Sequence, residues 1–265
     1  MCRFYINLKY KKEHLGDSII MSYTDNSILK QIGTKIKLYR KISYPDTPRM
    51  NFYEGITVSD DRVRKIESGI CMPDFDFLVK LSYHNQLPVD YFTESGFHVP
   101  DSAVDIISQI RKLTGKHSLQ FQYEFIQELN MLKYSIFTSI NSSDLHPISI
   151  NETDKKIRGN ILKNARIKGN MSVKELSSII DRSPSTIHRM EAGSGDSSTY
   201  IWTKISREFS IPMDLFLLNR IKNYKPNLEY VIDYLICDTF LGLTPDERSL
   251  MFSIAKHYLH KKKKM

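Results

Sequence analysis

Ser183-Pro184-Ser185-Thr186-Ile187-His188-Arg189-Met190-Glu191-Ala192-Gly193 is the stretch whose reading decides the fold of this chain. Ser183 offers a side-chain acceptor where a helix starts, and Pro184, with no N–H to lose, suits the first helical position. Ile187 and Met190 fall on one apolar face, and Gly193 is a natural stop after the last turn. The segment therefore predicts a helix of about two turns, too short to be stable by itself. It must be held by its neighbours.

Those neighbours are legible upstream. Asp181-Arg182 is a short turn, and before it Val173 to Ile180 predicts a helix that buries Val173, Leu176 and Ile180. Ser172 with Glu175 three positions on has the form of a capping box at its start. Lys156 to Lys168 predicts an earlier helix with Ile157, Ile161, Leu162 and Ala165 on one face. Two short helices joined by a tight turn project the second of them outward, where its leading side chains can reach base edges.

The same elements occur twice. Val63-Arg64-Lys65-Ile66-Glu67-Ser68-Gly69 lies 124 positions before Ile187 to Gly193, and the same offset pairs Leu87-Pro88-Val89-Asp90-Tyr91-Phe92 with Ile211-Pro212-Met213-Asp214-Leu215-Phe216. Further upstream the offset is 126, setting Gly33, Ile36 and Arg40 against Gly159, Leu162 and Arg166. The first copy thus carries two extra residues in the connection that follows, around Tyr44-Pro45-Asp46-Thr47-Pro48. Several separated matches in one order define an internal repeat.

Each copy runs on into a pair of amphipathic helices. These are Val104 to Leu113 and Leu119 to Phe137 in the first copy, and Leu228 to Leu241 and Pro245 to Leu259 in the second, with Thr244 as N-cap of the last. The organisation read from the chain is all-α: an N-terminal extension (1–27), a first unit (28–98), a helical hairpin (101–140), a polar, turn-rich linker (141–154), a second unit (155–222), a C-terminal hairpin (227–260) and a basic tail (261–265). Helical pattern begins only after Met21, which makes that methionine an alternative start. An apolar hairpin face must be buried somewhere, and a second copy of the chain or the other domain are both open as its cover.

The quoted residues resemble the phage-repressor and Cro-like helix-turn-helix regulators, the XRE family, over about half of the chain in two blocks. In the second copy the resemblance is carried by Leu162-Lys163-Asn164-Ala165-Arg166, Val173 to Ile180, Ser183, Ile187 to Gly193 and Phe209 to Phe216. In the first it is carried by Ile36-Lys37-Leu38-Tyr39-Arg40, Phe52 to Ile56, Ser59, Val63 to Gly69 and Leu87 to Phe92. It implies two lambda-repressor-like helix-turn-helix domains in tandem, each followed by a helical hairpin, acting on double-stranded DNA as a homodimer through the hairpins. It also implies two structural ion pairs, Arg40 with Glu67 and Arg166 with Glu191, pinning each third helix to its first. Base contacts are implied at Pro184, Ser185 and Arg189, with Thr186, His188 and Arg182 beside them, after the cap Ser183. In the first copy the same positions are Asp60, Asp61 and Lys65, with Arg62 and Arg64 nearby, after Ser59. Arg189 is the strongest candidate, since arginine reads guanine bidentately. Asp60 and Asp61 depart from the pattern, because carboxylates repel phosphates; Pro184 departs too, because it offers shape rather than a donor.

Charge separates the copies. Lys and Arg outnumber Asp and Glu by 38 to 30 over the whole chain, which favours a polyanionic partner. Residues 155–222 hold 13 basic and 6 acidic residues, whereas 28–95 hold 10 and 9. The second copy is therefore expected to supply most phosphate affinity, and the first to be a weaker reader or a surface for a protein partner.

The remaining features have plainer readings. Three widely spaced cysteines and eight histidines show no metal-ligand spacing, so neither metal nor cofactor is expected. No Ser/His/Asp or Cys/His set and no phosphate loop stands in a credible context, so an enzyme is not expected. Gly193-Ser194-Gly195 reads as a loop, Trp202 as core and Lys261 to Lys264 as a solvated tail. With no long apolar run and no signal-like start, the expected setting is cytoplasmic, away from membranes. Two functional classes remain: a transcriptional regulator, read as a repressor, and a protein-interaction module of antirepressor or antitoxin type in which one or both units do not bind DNA. A peptide or small-molecule effector of the hairpins is left unspecified.

Overall fold

Helix starts in this chain are marked by side-chain acceptors. Ser59, Asp74, Ser118, Ser172 and Ser183 each accept a hydrogen bond from the backbone N–H three residues on, satisfying one of the orphan donors of a first turn. Thr244 and Glu247 exchange the reciprocal bonds of a capping box, as do Ser172 and Glu175. In the computed structural model, which describes residues 25–94, 97–138, 140 and 144–262, every regular element among the described residues is helical. Residues 1–24, with the alternative start at Met21, residues 141–143 of the linker and residues 263–265 of the basic tail lie outside the described residues.

The first half comprises α1 (Asp25–Ser43), α2 (Arg49–Phe52), α3 (Asp60–Glu67), α4 (Phe75–Asn85), α5 (Asp90–Thr93), a single 3-10 turn, α6 (Val104–Thr114) and α7 (Leu119–Phe137). The second comprises α8 (Asp154–Lys168), α9 (Val173–Ile180), α10 (Pro184–Glu191), α11 (Thr199–Glu208), α12 (Met213–Phe216), α13 (Leu218–Ile221), α14 (Lys225–Phe240) and α15 (Pro245–Lys262). One element differs from expectation. The helix expected over Phe52 to Ile56 instead occupies Arg49–Phe52, and the chain then turns through Tyr53 and Gly55. Gly55 takes φ +82, open to glycine but costly for other residues, and Tyr53 turns inward to donate to Glu67 Oε1 at 2.8 Å. The positive φ of Gly55 breaks the helical path before Ile56.

Two apolar cores result. Ile28, Ile32, Ile36, Val63, Ile66, Phe77, Leu81 and Phe92 form the smaller one in the first half. The larger one gathers the second half, both hairpins, and Leu78 and Val89 from the first half. Tyr200 packs against both. The hairpin faces meet each other: Phe125, Ile126 and Leu129 of α7 and Leu228, Val231, Ile232 and Leu235 of α14 are buried in this one core. Arg111 to Asp233 at 2.8 Å and Lys168 to Asp238 at 2.7 Å add ion pairs around the contact. The described part of the linker is no free tether either. Leu145 and Ile150 are buried; Ile148 N–H donates to Gln127 Oε1 at 2.9 Å, and its carbonyl accepts from the Tyr123 hydroxyl at 2.7 Å.

The halves are joined at α5 and α12 by a reciprocal exchange. Val89 N–H and Asp90 N–H donate to the two carboxylate oxygens of Asp214 at 3.1 Å each, and Met213 N–H donates to Asp90 Oδ1 at 2.6 Å. Asp90 and Asp214 are equivalent positions of the repeat. Asn227 also donates to Asp214 and, at 3.0 Å, to Ser82 Oγ. Beside this joint the Arg158 guanidinium lies 4.8 Å from the Phe75 ring and 5.7 Å from that of Trp202, with Nη2 on Asp196 at 2.7 Å. Among the described residues no helix is long and apolar enough to cross a membrane.

Burial raises the Asp214 carboxyl to about 6, against the pull of its donors Asn227, Val89 and Asp90. A folded-state value above the unfolded one means that the native state holds the extra proton between about pH 4 and 6. Stability from this group is therefore present below that window and lost as pH rises through it. Urea titrations of the chain and of Asp214→Asn across pH 4 to 6 check this; the expected outcome is a loss of slope in the variant, and equal slopes would refute the assignment.

Candidate nucleic-acid interface

An eight-residue helix keeps its position only through what it touches. α10 is seated on α8 at closest range through glycine: a Cβ added to Gly159 would lie 2.5 Å from the Met190 carbonyl oxygen and 2.8 Å from that of Glu191. Gly33 plays the same part against Ile66, whose carbonyl oxygen would be 2.1 Å from an added Cβ. Gly193 and Gly69 follow in the left-handed region, at φ +68 and +69, and end each third helix. Ser194 N–H and Gly195 N–H both donate to the Arg189 carbonyl, at 3.0 and 2.8 Å, so the last turn is satisfied.

The two carboxylates expected to clasp these helices meet their arginines as forks. Arg166 Nε and Nη2 donate to Glu191 Oε1 and Oε2 at 2.6 and 3.0 Å, and Arg166 Nη1 continues to the Met171 carbonyl at 3.1 Å. Arg40 Nε and Nη2 donate to Glu67 at 2.8 and 2.9 Å, and Glu67 has the Tyr53 hydroxyl as an additional donor. Burial pushes the Glu67 carboxyl up, but the hydrogen bonds from Arg40 and Tyr53 outweigh it and hold the group below the usual carboxylate range. Both arginines are held more strongly protonated by the carboxylates they face.

The outer face of α10 is open. Ser183 Oγ caps Thr186 N–H at 3.2 Å and touches the hydroxyls of Ser185 and Thr186 at 3.0 and 2.8 Å. Pro184, Ser185, His188 and Arg189 are exposed, and Thr186 and Arg182 half-buried. Arg182 donates to the carbonyl of Asp181 at 2.7 Å. No carboxylate pairs with Arg182 or Arg189 among the described residues.

The outer face of α3 differs. Ser59 caps Arg62 N–H at 3.3 Å, and Asp60, Asp61, Arg62, Arg64 and Lys65 all reach the surface. Each cation there faces a carboxylate: Arg62 on Asp74 at 2.6 Å, Arg64 on Asp60 at 2.9 Å and Lys65 on Asp61 at 2.7 Å. Asp60 is further held by Arg49, whose Nε lies at 2.9 Å, and its carboxyl is lowered chiefly by that bond. The hydrogen bond to Asp61 keeps Lys65 more firmly protonated. Sequence reasoning missed Arg49 and Asp74; no local pattern marks either as a partner of α3. Among the described residues no group of three or more His, Cys, Asp or Glu could hold a metal ion.

No family model, curated protein or solved structure matches this chain. Its residues and geometry alone carry the functional reading.

Two substitutions test the seating of α10. Gly159→Ala is expected to lower stability by about 1–3 kcal/mol, because backbone must move to admit the methyl group. Arg166→Ala is expected to cost on the order of 3–5 kcal/mol by leaving Glu191 buried and unpaired, and Arg40→Ala less, since Glu67 keeps its tyrosine donor. Denaturant midpoints of the three variants check the order; an Arg40→Ala loss as large as that of Arg166→Ala contradicts the compensating role of Tyr53.

Proposed function

We propose that this chain is a sequence-specific, double-stranded-DNA-binding transcriptional regulator of repressor type, built from two tandem helix-turn-helix units. α9 and α10 form the pair whose second helix enters the major groove. The observation that carries this reading is the open face of α10: a capped N-terminus presenting Ser185 and Thr186, and Arg189 a turn later with no carboxylate beside it. Arg189 is placed to donate bidentately to guanine, while the hydroxyls of Ser183, Ser185 and Thr186 suit phosphate or base-edge acceptors. The 13 basic residues against 6 acidic in 155–222 supply the sequence-independent attraction.

For the first unit a second reading is favoured by its surface. Leu38, Ile42 and Ile70 are 54%, 71% and 71% exposed, and the charges of α3 cancel one another. Balanced charge offers a polyanion little attraction, and these exposed apolar side chains are open to a protein partner. In this reading the first unit is an interaction module attached to a DNA-reading second unit.

Salt dependence separates the units. Arg182→Ala with Arg189→Ala should reduce affinity for duplex DNA and lower the slope of log affinity against log salt by about one to two. Arg62→Ala with Lys65→Ala should change the slope by less than half as much. Equal losses in the two double variants would remove the asymmetry, and no measurable duplex binding by the parent chain would remove the DNA reading.

A further inference from the structure

Regulators that read DNA with short helices commonly present two copies of one surface across a two-fold axis, and their operators mirror that symmetry. An interface of this kind is self-complementary: position i of one copy meets position j of the other, and j meets i. The joint between α5 and α12 has that character within a single chain. Asp214 accepts from the amides of Val89 and Asp90, and Asp90 accepts from the amide of Met213, at matched positions of the repeat. The joint is fully occupied, because Val89, Asp90, Met213 and Asp214 are all buried. Around the joint each half also packs on the other. Phe75 of the first half lies on Arg158 of the second, and Tyr200 of the second half packs against the core of the first. The apolar hairpin faces that would serve a second copy are likewise packed together inside the chain.

The third helices of the two halves, α3 and α10, are not alike on the faces they would turn to DNA. Asp60 and Asp61 stand at the positions of Pro184 and Ser185, at the end of the helix that leads into a groove. Lys65 stands at the position of Arg189, but it is engaged with Asp61 at 2.7 Å. At α3 an approaching phosphate thus meets two carboxylates first, and three cations each already facing an acidic partner. At α10 it meets hydroxyls and a free guanidinium.

We infer that one chain occupies its duplex alone, as an internal pseudo-dimer, and that α10 is its only base-reading helix. The operator is then a single asymmetric motif confined to one major-groove segment, with no inverted counterpart. This rests on the DNA-binding reading above and narrows it to one chain and one reading helix.

The test uses the full chain. Duplexes bound from a random pool are sequenced after selection, and the mass of the complex with an enriched duplex is measured in solution by sedimentation. The expected result is one non-palindromic motif and one chain per duplex. An inverted repeat with half-sites about one helical turn apart, or two chains per duplex, overturns the inference while leaving DNA binding intact. A pool recovered without enrichment, together with no salt-dependent retention of any duplex, overturns the DNA reading itself and this inference with it.

Discussion

The outer faces of α3 and α10 depend on one kind of contact, the seating of a short helix against the first helix of its half. Burial of Ile187 and Met190 contributes about 1.5–3 kcal/mol each, but hydrophobic burial is non-directional and leaves a two-turn helix free to slide or rotate. Gly159 removes that freedom in one direction by letting the two backbones touch, and the Arg166–Glu191 fork removes it in another. The fork works because it is partly sheltered and bidentate, so that both distance and plane are set. Gly33 and the Arg40–Glu67 fork repeat the arrangement in the first unit, with Tyr53 added.

The second constraint is the joint. Two buried aspartates at equivalent positions satisfy backbone amides at the starts of each other's short helices. A buried carboxylate that accepts several N–H bonds is tolerated where an unpaired one is not. The halves are thereby made one body. Residues from each half complete the packing of the other, as Leu78 and Val89 do in the larger core and Tyr200 does in both.

Much of this was legible in the residues, and the limits have physical causes. The spans Val173–Ile180 and Pro184–Glu191 follow from the sequence alone because their stops and starts are local: a capping box, a serine cap, a proline and a glycine. The second helix of the first unit did not, because within its apolar run, Phe52 to Ile56, Tyr53 turns to a partner 14 residues away, Glu67, and Gly55 takes a positive φ. The repeat exposed Asp90 and Asp214 as counterparts, yet nothing in a one-dimensional pattern says that counterparts touch. Arg158 carried a faint signal, a cation between Ile157 and Ile161 in a helix that also buries Asn160; its place between two aromatic rings is a product of the tertiary fold. The open face of α10 was readable in composition, whereas the cancellation of charge on α3 also needed Asp74, which reaches it from the next helix.

The comparison of α3 with α10 separates holding a helix from using it. Both have the glycine contact, the fork and the serine cap, so these features answer to the core beneath the helix. They are indifferent to what its outer face meets. Apart from the Tyr53 donor added to one fork, what differs lies on the outer face: two carboxylates and their paired cations on one helix, hydroxyls and an unpaired arginine on the other. Because the clasp lies on the inner side and these exposed polar residues on the outer, charge on the outer face can change without loosening the seat. A helix held outward by such a clasp is therefore no evidence by itself of contact with DNA; under the proposed function the charge balance of its leading turn decides, and that balance favours α10.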